Sequence, residues 1–319
     1  MVKHRLVKEC EDKLDVLAIK DFALRCIDRY EITEFPVHFF GGESLLAVDE
    51  CLSLIEELES IDGLTTRFSL YSNLAMELTK KHMALFDKVF AIGVSIDGLE
   101  DQHNLQRLPI SKDMANPFEV TILNLKELVL AGFKDKIEVQ ACLRDEFNTE
   151  ENRAEIYRLI LQFGVTAERI TIGTIAPTKL HPKPDEMYLT GIAQPKLSHQ
   201  CCCKYRPNVL MTDYSGNVFS DYYTYTKLGT IHDDLEVIER EQEKLTKKTM
   251  PVFNDPKCQE CPVVGYCWGG CSMQENMEEP LSKYCNQEGI LKSVQELANA
   301  NLLMPQKRDK KNESLASNT

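Results

Sequence analysis

Between residues 15 and 175, short apolar runs alternate with longer stretches in which apolar positions recur every three or four residues. The short runs, 35–40, 67–71, 89–96, 136–143 and 169–175, are rich in Val, Ile and Phe, as doubly buried parallel strands tend to be. The longer stretches, 15–30, 47–61, 75–86, 117–131 and 149–163, predict helices between those strands. Asp15, Thr149 and Ser44 stand where helix starts want a capping acceptor, and Gly132 and Gly164 where helix ends want a residue that tolerates positive φ. The alternation predicts an α/β fold whose parallel strands form a curved sheet over 1–176, either a partial (β/α) barrel or a doubly wound layer. A complete barrel would need more strands than the pattern supplies.

Beyond residue 176 the periodicity breaks. Pro177, Pro182, Pro184 and Pro195 mark 177–200 as a linker. Residues 201–290 hold one hairpin signal, with Tyr214, Ser215 and Gly216 at its turn, and little continuous helix, so a small core there is expected to need a metal to hold it. A helix over 284–303 is expected to lead into a polar, disordered tail, so that 291–319 forms a C-terminal helix and tail.

The chain's 319 residues allow about two domains at roughly 150 residues each. With 43% apolar and 27% charged residues it falls in the globular range and outside the collagen-like and low-complexity classes. No apolar run approaches the roughly 20 residues of a membrane helix, so no membrane partner is expected. The net charge of −13 repels polyanions, so no nucleic-acid partner is expected either. Twelve cysteines change the picture, because eight of them crowd the last third. The opening MVKHRLVKECEDKLD has no apolar segment of the secretory type, so a reducing, cytoplasmic setting is expected, in which clustered thiols serve as metal ligands more often than as disulfides.

The spacing Cys258-x2-Cys261-x5-Cys267-x3-Cys271, followed by Cys285, is that of thiolates brought to a common centre by tight turns. Together with Cys201, Cys202 and Cys203 these are too many ligands for one tetrahedral ion, which points to two sites or a pair of iron-sulfur clusters. Structural zinc stands as the alternative reading of the spacing.

This arrangement, with a Gly in a strand turn about a dozen residues after the preceding Cys, resembles the SPASM domain of radical S-adenosylmethionine enzymes. The resemblance implies that 201–290 holds auxiliary [4Fe-4S] clusters. Cys258, Cys261, Cys267 and Cys285 match the ligands of the second cluster, and Cys271 and Cys203 match ligands of the first. Where the family places a further Cys, this chain has Ser220 and Asp221. Asp221 either ligates iron in its place or aligns with the carboxylate that serves as general base in sulfatase-maturing members; the first cluster is then three-thiolate with an oxygen ligand, completed by Cys201 or Cys202, or absent.

The first domain carries the same resemblance independently. Gly41, Gly42 and Glu43 in FFGGESLL match the family motif that binds the amino group of S-adenosylmethionine. The segment VSIDGLEDQHNLQR implies Ser95 and Arg107 as holders of the methionine carboxylate, a guanidinium being a natural fork for that group. Ser72 and Asn73 match a Thr-Asn-Gly turn, with Leu74 where the family has Gly. The likeness spans about residues 15–290 and implies radical modification of a peptide or protein substrate, supplied by an external electron donor. One motif is missing: the sequence contains no Cys-x3-Cys-x2-Cys, and Cys10 and Cys26 have no second thiol near them. Without that cluster the radical step is not expected to start. Three readings follow from the sequence: a peptide or protein maturase, truncated at its N-terminus or split; a homologue that retains binding or electron transfer without radical chemistry; or a zinc-binding structural protein.

Overall fold

The computed structural model describes residues 14–41, 43–107, 116–174, 210–220, 226–249 and 255–262. Asp15 starts the first helix, α1 (Val16–Tyr30), by accepting from Ala18 N at 2.9 Å, and the chain then enters β1 (Glu34–Phe39). A 3-10 turn (Ser44–Ala47) leads into α2 (Val48–Glu59), β2 (Thr65–Ser72), α3 (Lys80–Lys88) and β3 (Ala91–Ser95). The short α4 (Glu100–Gln106) and the long α5 (Pro117–Leu130) precede β4 (Ile137–Leu143), and α6 (Glu150–Leu161) precedes β5 (Ile170–Thr174).

All five strands are parallel and lie in the order β1-β2-β3-β4-β5. Sequential order decides between the two layouts left open by the pattern: a doubly wound sheet reverses its strand order, and a barrel-type sheet does not. One face of each strand packs on the helices. Phe39, Phe68, Leu70, Ile92, Val94, Val139 and Leu143 join Ile55, Leu58, Phe86, Leu128 and Ile156 in one buried core. The opposite face carries His38, Arg67, Ser69, Tyr71, Ser95, Glu138, Gln140 and Cys142, and is polar and partly open among the described residues. Strand alternation thus reads differently here from the double burial expected.

Most boundaries match the pattern to within a residue or two, and the departures have local causes. Residues 75–79 are not helical, because Ser72 Oγ and Asn73 Oδ1 take the N–H groups of Leu74 and Ala75, and Asn124 Nδ2 holds the carbonyls of Leu74 and Met76. Helix α3 starts only at Thr79, whose capping box with His82 satisfies the first turn. The acceptor that caps the turn after β1 is Glu43, not Ser44: Ser44 Oγ donates instead to Tyr71 O at 2.7 Å. Gly132 and Gly164 adopt positive φ, as their helix ends require.

The described part of the C-terminal region contains strands β6 (Met211–Thr212), β7 (Asn217–Phe219) and β8 (Lys227–Thr230), antiparallel in that order, then α7 (Leu235–Thr249) and α8 (Pro256–Gln259). The hairpin forms at the expected turn, where Asp213 Oδ1 accepts from Ser215 N and Asn217 N and Gly216 takes φ +72°. One expectation needs correction. The region has a 15-residue helix, α7, whose buried stripe (Leu235, Ile238, Gln242 and the half-buried Leu245) is set in an otherwise charged and polar segment. It also has an apolar core of its own kind: Val218, Leu228, Ile231, Leu235 and Ile238 pack against Phe22 and Cys26 of α1. Arg25 of α1 donates to the carbonyls of Ile231 and Asp233, and Arg29 and Tyr30 bond Glu239 of α7. Burial against α1 supplies cohesion to the hairpin and α7.

Candidate functional site

At the C-terminal ends of the parallel strands, several of the sequence-predicted residues come together. Gly41 follows β1 with φ +154°, a conformation open to glycine, and a Cβ there would meet nothing within 4 Å. Glu43 reaches across from β1 to β2: one carboxylate oxygen accepts from Leu45 N at 3.1 Å and the other from Asn73 N at 3.0 Å. Burial pushes its carboxyl pKa up, against the opposing pull of Asn73 N–H, the Ser72 hydroxyl, Leu45 N–H and the Arg107 charge. The structure therefore gives Glu43 a clamping part, tying two strand ends, beside the ammonium-binding part implied by the resemblance. With the Ser72 hydroxyl as a third donor, the carboxylate keeps about one lone pair for a ligand donor.

The turn after β2 is unusual. Leu74, fully buried, adopts φ +53°, the left-handed conformation that a Gly would take without strain. Leu74→Gly relieves roughly 1 kcal/mol of backbone strain but forfeits about 2–5 kcal/mol of buried side chain, so the variant is expected to be less stable by about 1–4 kcal/mol in urea unfolding. A gain in stability would show that strain dominates at this turn.

Asp97, two residues beyond β3 and only 3% exposed, organises the other half of the site. Its carboxylate accepts from Arg107 Nε at 2.5 Å and from Cys142 N of β4 at 3.0 Å. Burial works against the Arg107 charge, but Asp97, with Cys142 and Glu43 further off, outweighs it and raises the guanidinium pKa. His103 of α4, fully buried, accepts from Asp97 N through Nδ1 at 3.2 Å, and desolvation lowers its pKa to about 4. Ser95 lies on the open face at the end of β3, in register with Gln140.

The floor beside these groups is aromatic and polar. The Tyr71 ring crosses β3 over Gly93, where any Cβ would fall 2.1 Å from a ring carbon. Burial raises the Tyr71 pKa, Glu138 adds to this, and a hydrogen bond with Gln140 opposes it. Phe40, half exposed, stands edge-on to Tyr71 with ring centroids 5.7 Å apart. Cys142 exposes its thiol on the same face; burial and Asp97 raise its pKa and Arg107 opposes them.

Asp97, His103, Tyr71 and Cys142 escaped the sequence reading as site residues. Asp97 and His103 sit inside the segment that carried Ser95 and Arg107, and an ionisable residue directly after an apolar strand was the available signal. No local signal marks Tyr71 or Cys142, whose place on the open face depends on strand register.

Among the C-terminal ligand candidates, Cys258 and Cys261 are described. Asp255 caps α8 by accepting from Lys257 N, and Cys261 N donates to Cys258 O at 3.2 Å, so the two cysteines share one tight turn. Cys258 is buried and Cys261 half-buried. Among the described residues no group of three His, Cys, Asp or Glu converges on a metal-sized site. Gly42, Cys201, Cys202, Cys203, Asp221, Cys267, Cys271 and Cys285 lie outside the described residues.

No protein-family model and no curated protein sequence matches the chain. Solved structures do match it in fold. Native anSMEcpe with bound AdoMet and the Kp18Cys peptide superposes with a TM-score of 0.62 at 16% identity, over 90% of each chain. A histidine-tagged form of anSMEcpe with bound AdoMet gives 0.64 at 15% identity, over 91% of this chain and 87% of that one. SuiB of Streptococcus suis bound to S-adenosylmethionine gives 0.53 at 12% identity, over 85% of this chain and 70% of that one. Among the described residues, no helix is long and apolar enough to cross a membrane.

Proposed function

We propose that this chain, which has the fold expected from its resemblance to radical S-adenosylmethionine enzymes with a SPASM segment, binds S-adenosylmethionine at the ends of β1, β2 and β3 and acts on a peptide or protein side chain. The observation that carries the reading is the gathering at one end of a half-barrel of an open glycine turn, a carboxylate and a guanidinium. The Arg107 side chain uses Nε on Asp97, and its two terminal nitrogens have no hydrogen-bond partner among the described residues. That leaves a two-pronged donor of the kind that binds a carboxylate. Structures of the same fold hold AdoMet, and two of them hold a peptide as well.

In this reading Gly41, Gly42 and Glu43 receive the ammonium group, and Arg107 with Ser95 receives the carboxylate. Ser72 and Asn73 support Glu43 from β2. When bound, the cofactor would supply hydrogen-abstracting radical chemistry. Tyr71, Gln140 and Cys142 face the space in which a substrate side chain would lie. Cys258, Cys261, Cys267 and Cys285 would hold one auxiliary [4Fe-4S] cluster. Cys271 and Cys203, with Asp221, Cys201 or Cys202, would hold a second. The tight turn shared by Cys258 and Cys261 has the local shape that two such ligands require.

A second reading has a specific observation in its favour: the sequence holds no Cys-x3-Cys-x2-Cys, so a cofactor site could persist without radical chemistry. One experiment tests both. Protein purified and reconstituted without oxygen is expected to contain iron and acid-labile sulfide and to bind S-adenosylmethionine in calorimetry. Formation of 5′-deoxyadenosine on reduction supports the maturase, and binding without that product supports the second reading. Protein with stoichiometric zinc, no sulfide and no affinity for the nucleotide overturns both.

A further inference from the structure

We infer that Asp97 is a positioning residue, which aims the Arg107 guanidinium so that its two terminal nitrogens meet the carboxylate of an amino-acid ligand. This rests on the reading of the strand ends as an S-adenosylmethionine site. All four polar atoms of Asp97 are engaged by the protein. Its N–H donates to His103 Nδ1 at 3.2 Å, and its carbonyl accepts from Gln106 Nε2 at 3.0 Å. One carboxylate oxygen accepts from Cys142 N at 3.0 Å and the other from Arg107 Nε at 2.5 Å. These bonds tie the end of β3 to α4, to the residue that follows α4, and to β4. With both oxygens used and the side chain buried, Asp97 reaches a ligand only through Arg107.

The choice of atoms matters. An arginine side chain is long and rich in rotamers, and among the described residues the one hydrogen bond that fixes the direction of Arg107 is that to Asp97. Holding it by Nε leaves the Nη1 and Nη2 groups side by side, the arrangement that a carboxylate accepts with both oxygens. An Asn at 97 would present one oxygen and one NH2 to two N–H donors, so either Arg107 or Cys142 N would lose its acceptor. A Lys at 107 would keep the charge but give its single ammonium to Asp97, with no fork remaining.

The test compares two ligands that differ in the carboxylate. Calorimetry on the native chain, Asp97→Asn and Arg107→Lys would use S-adenosylmethionine and 5′-methylthioadenosine, which has the nucleoside and thioether but no amino-acid group. Asp97→Asn is expected to weaken S-adenosylmethionine binding by about tenfold or more, the scale of one charge-assisted contact, and to leave 5′-methylthioadenosine within about twofold. Arg107→Lys is expected to do the same, and if Asp97→Asn does not fold, Asp97→Glu, which keeps both acceptor oxygens but displaces them by one methylene, takes its place in the same two-ligand comparison. Equal loss of both ligands in Asp97→Asn marks Asp97 as structural support and overturns the inference, as does native affinity for S-adenosylmethionine in Arg107→Lys. A native chain that binds both ligands equally well keeps the nucleotide site and overturns the carboxylate fork. A native chain that binds neither overturns the cofactor reading, and this inference with it.

Discussion

Replacing Glu43 with Ala lowers the free energy of unfolding by about 2–5 kcal/mol and abolishes measurable binding of S-adenosylmethionine. The stability loss follows from two N–H groups, of Leu45 and Asn73, that lose their acceptor. A buried donor left without a partner costs roughly 1–3 kcal/mol. A domain with about 5–15 kcal/mol in total feels such a loss as a large shift of the urea midpoint. The pH dependence adds a second check. Because burial raises the Glu43 pKa in the folded protein, the native state keeps its proton to higher pH than the unfolded chain does. Its contribution is therefore complete below the ordinary carboxylate value of 4.5 and declines as pH rises through the raised folded value. The penalty of Glu43→Ala should be larger at pH 5 than at pH 8. A penalty that grows with pH would show that hydrogen bonding to the carboxylate, rather than desolvation, governs this group.

Acid weakens the protein through His103. Its pKa falls from 6.5 to about 4 on folding, chiefly by desolvation, with Arg107 reinforcing the shift and Asp97 opposing it. Below the unfolded value the unfolded chain takes up a proton that the native state refuses, so stability is lost as pH falls from 6.5 towards 4. A shift of that size corresponds to about 3 kcal/mol. Geometry gives the same sign: Nδ1 accepts from Asp97 N, and a proton on that nitrogen would turn an acceptor into a donor facing a donor. Urea midpoints measured across this range should fall steeply in the native chain and more gently in His103→Gln. An identical acid limb in both would remove His103 as the cause. Since Asp97 also holds Arg107, the affinity for a carboxylate ligand is expected to weaken over the same interval.

The elements were largely legible because they depend on neighbours in sequence. Strand runs, helical periods, the caps at Asp15 and Thr149, and the glycines at 132 and 164 obey local steric and hydrogen-bonding rules, which the chain states directly. The same holds for the glycine turn before Glu43 and the tight turn between Cys258 and Cys261. Helix α7 was missed because its few apolar residues stand in a segment that is charged and polar overall, and the delayed start of α3 because Asn124, fifty residues from Leu74, holds the carbonyls of Leu74 and Met76.

The parallel-strand fold and the residue types that gather at its strand ends were determined by the sequence alone, since pattern and motif spacing are properties of short segments. Tertiary structure alone decided that the sheet runs in sequential order with one polar, open face, that α1 serves two cores, and that Asp97 joins β3, α4 and β4 around Arg107. Those features depend on which strand lies beside which, and on burial that converts a short contact between distant residues into a strong one; neither quantity is written in any local stretch of chain.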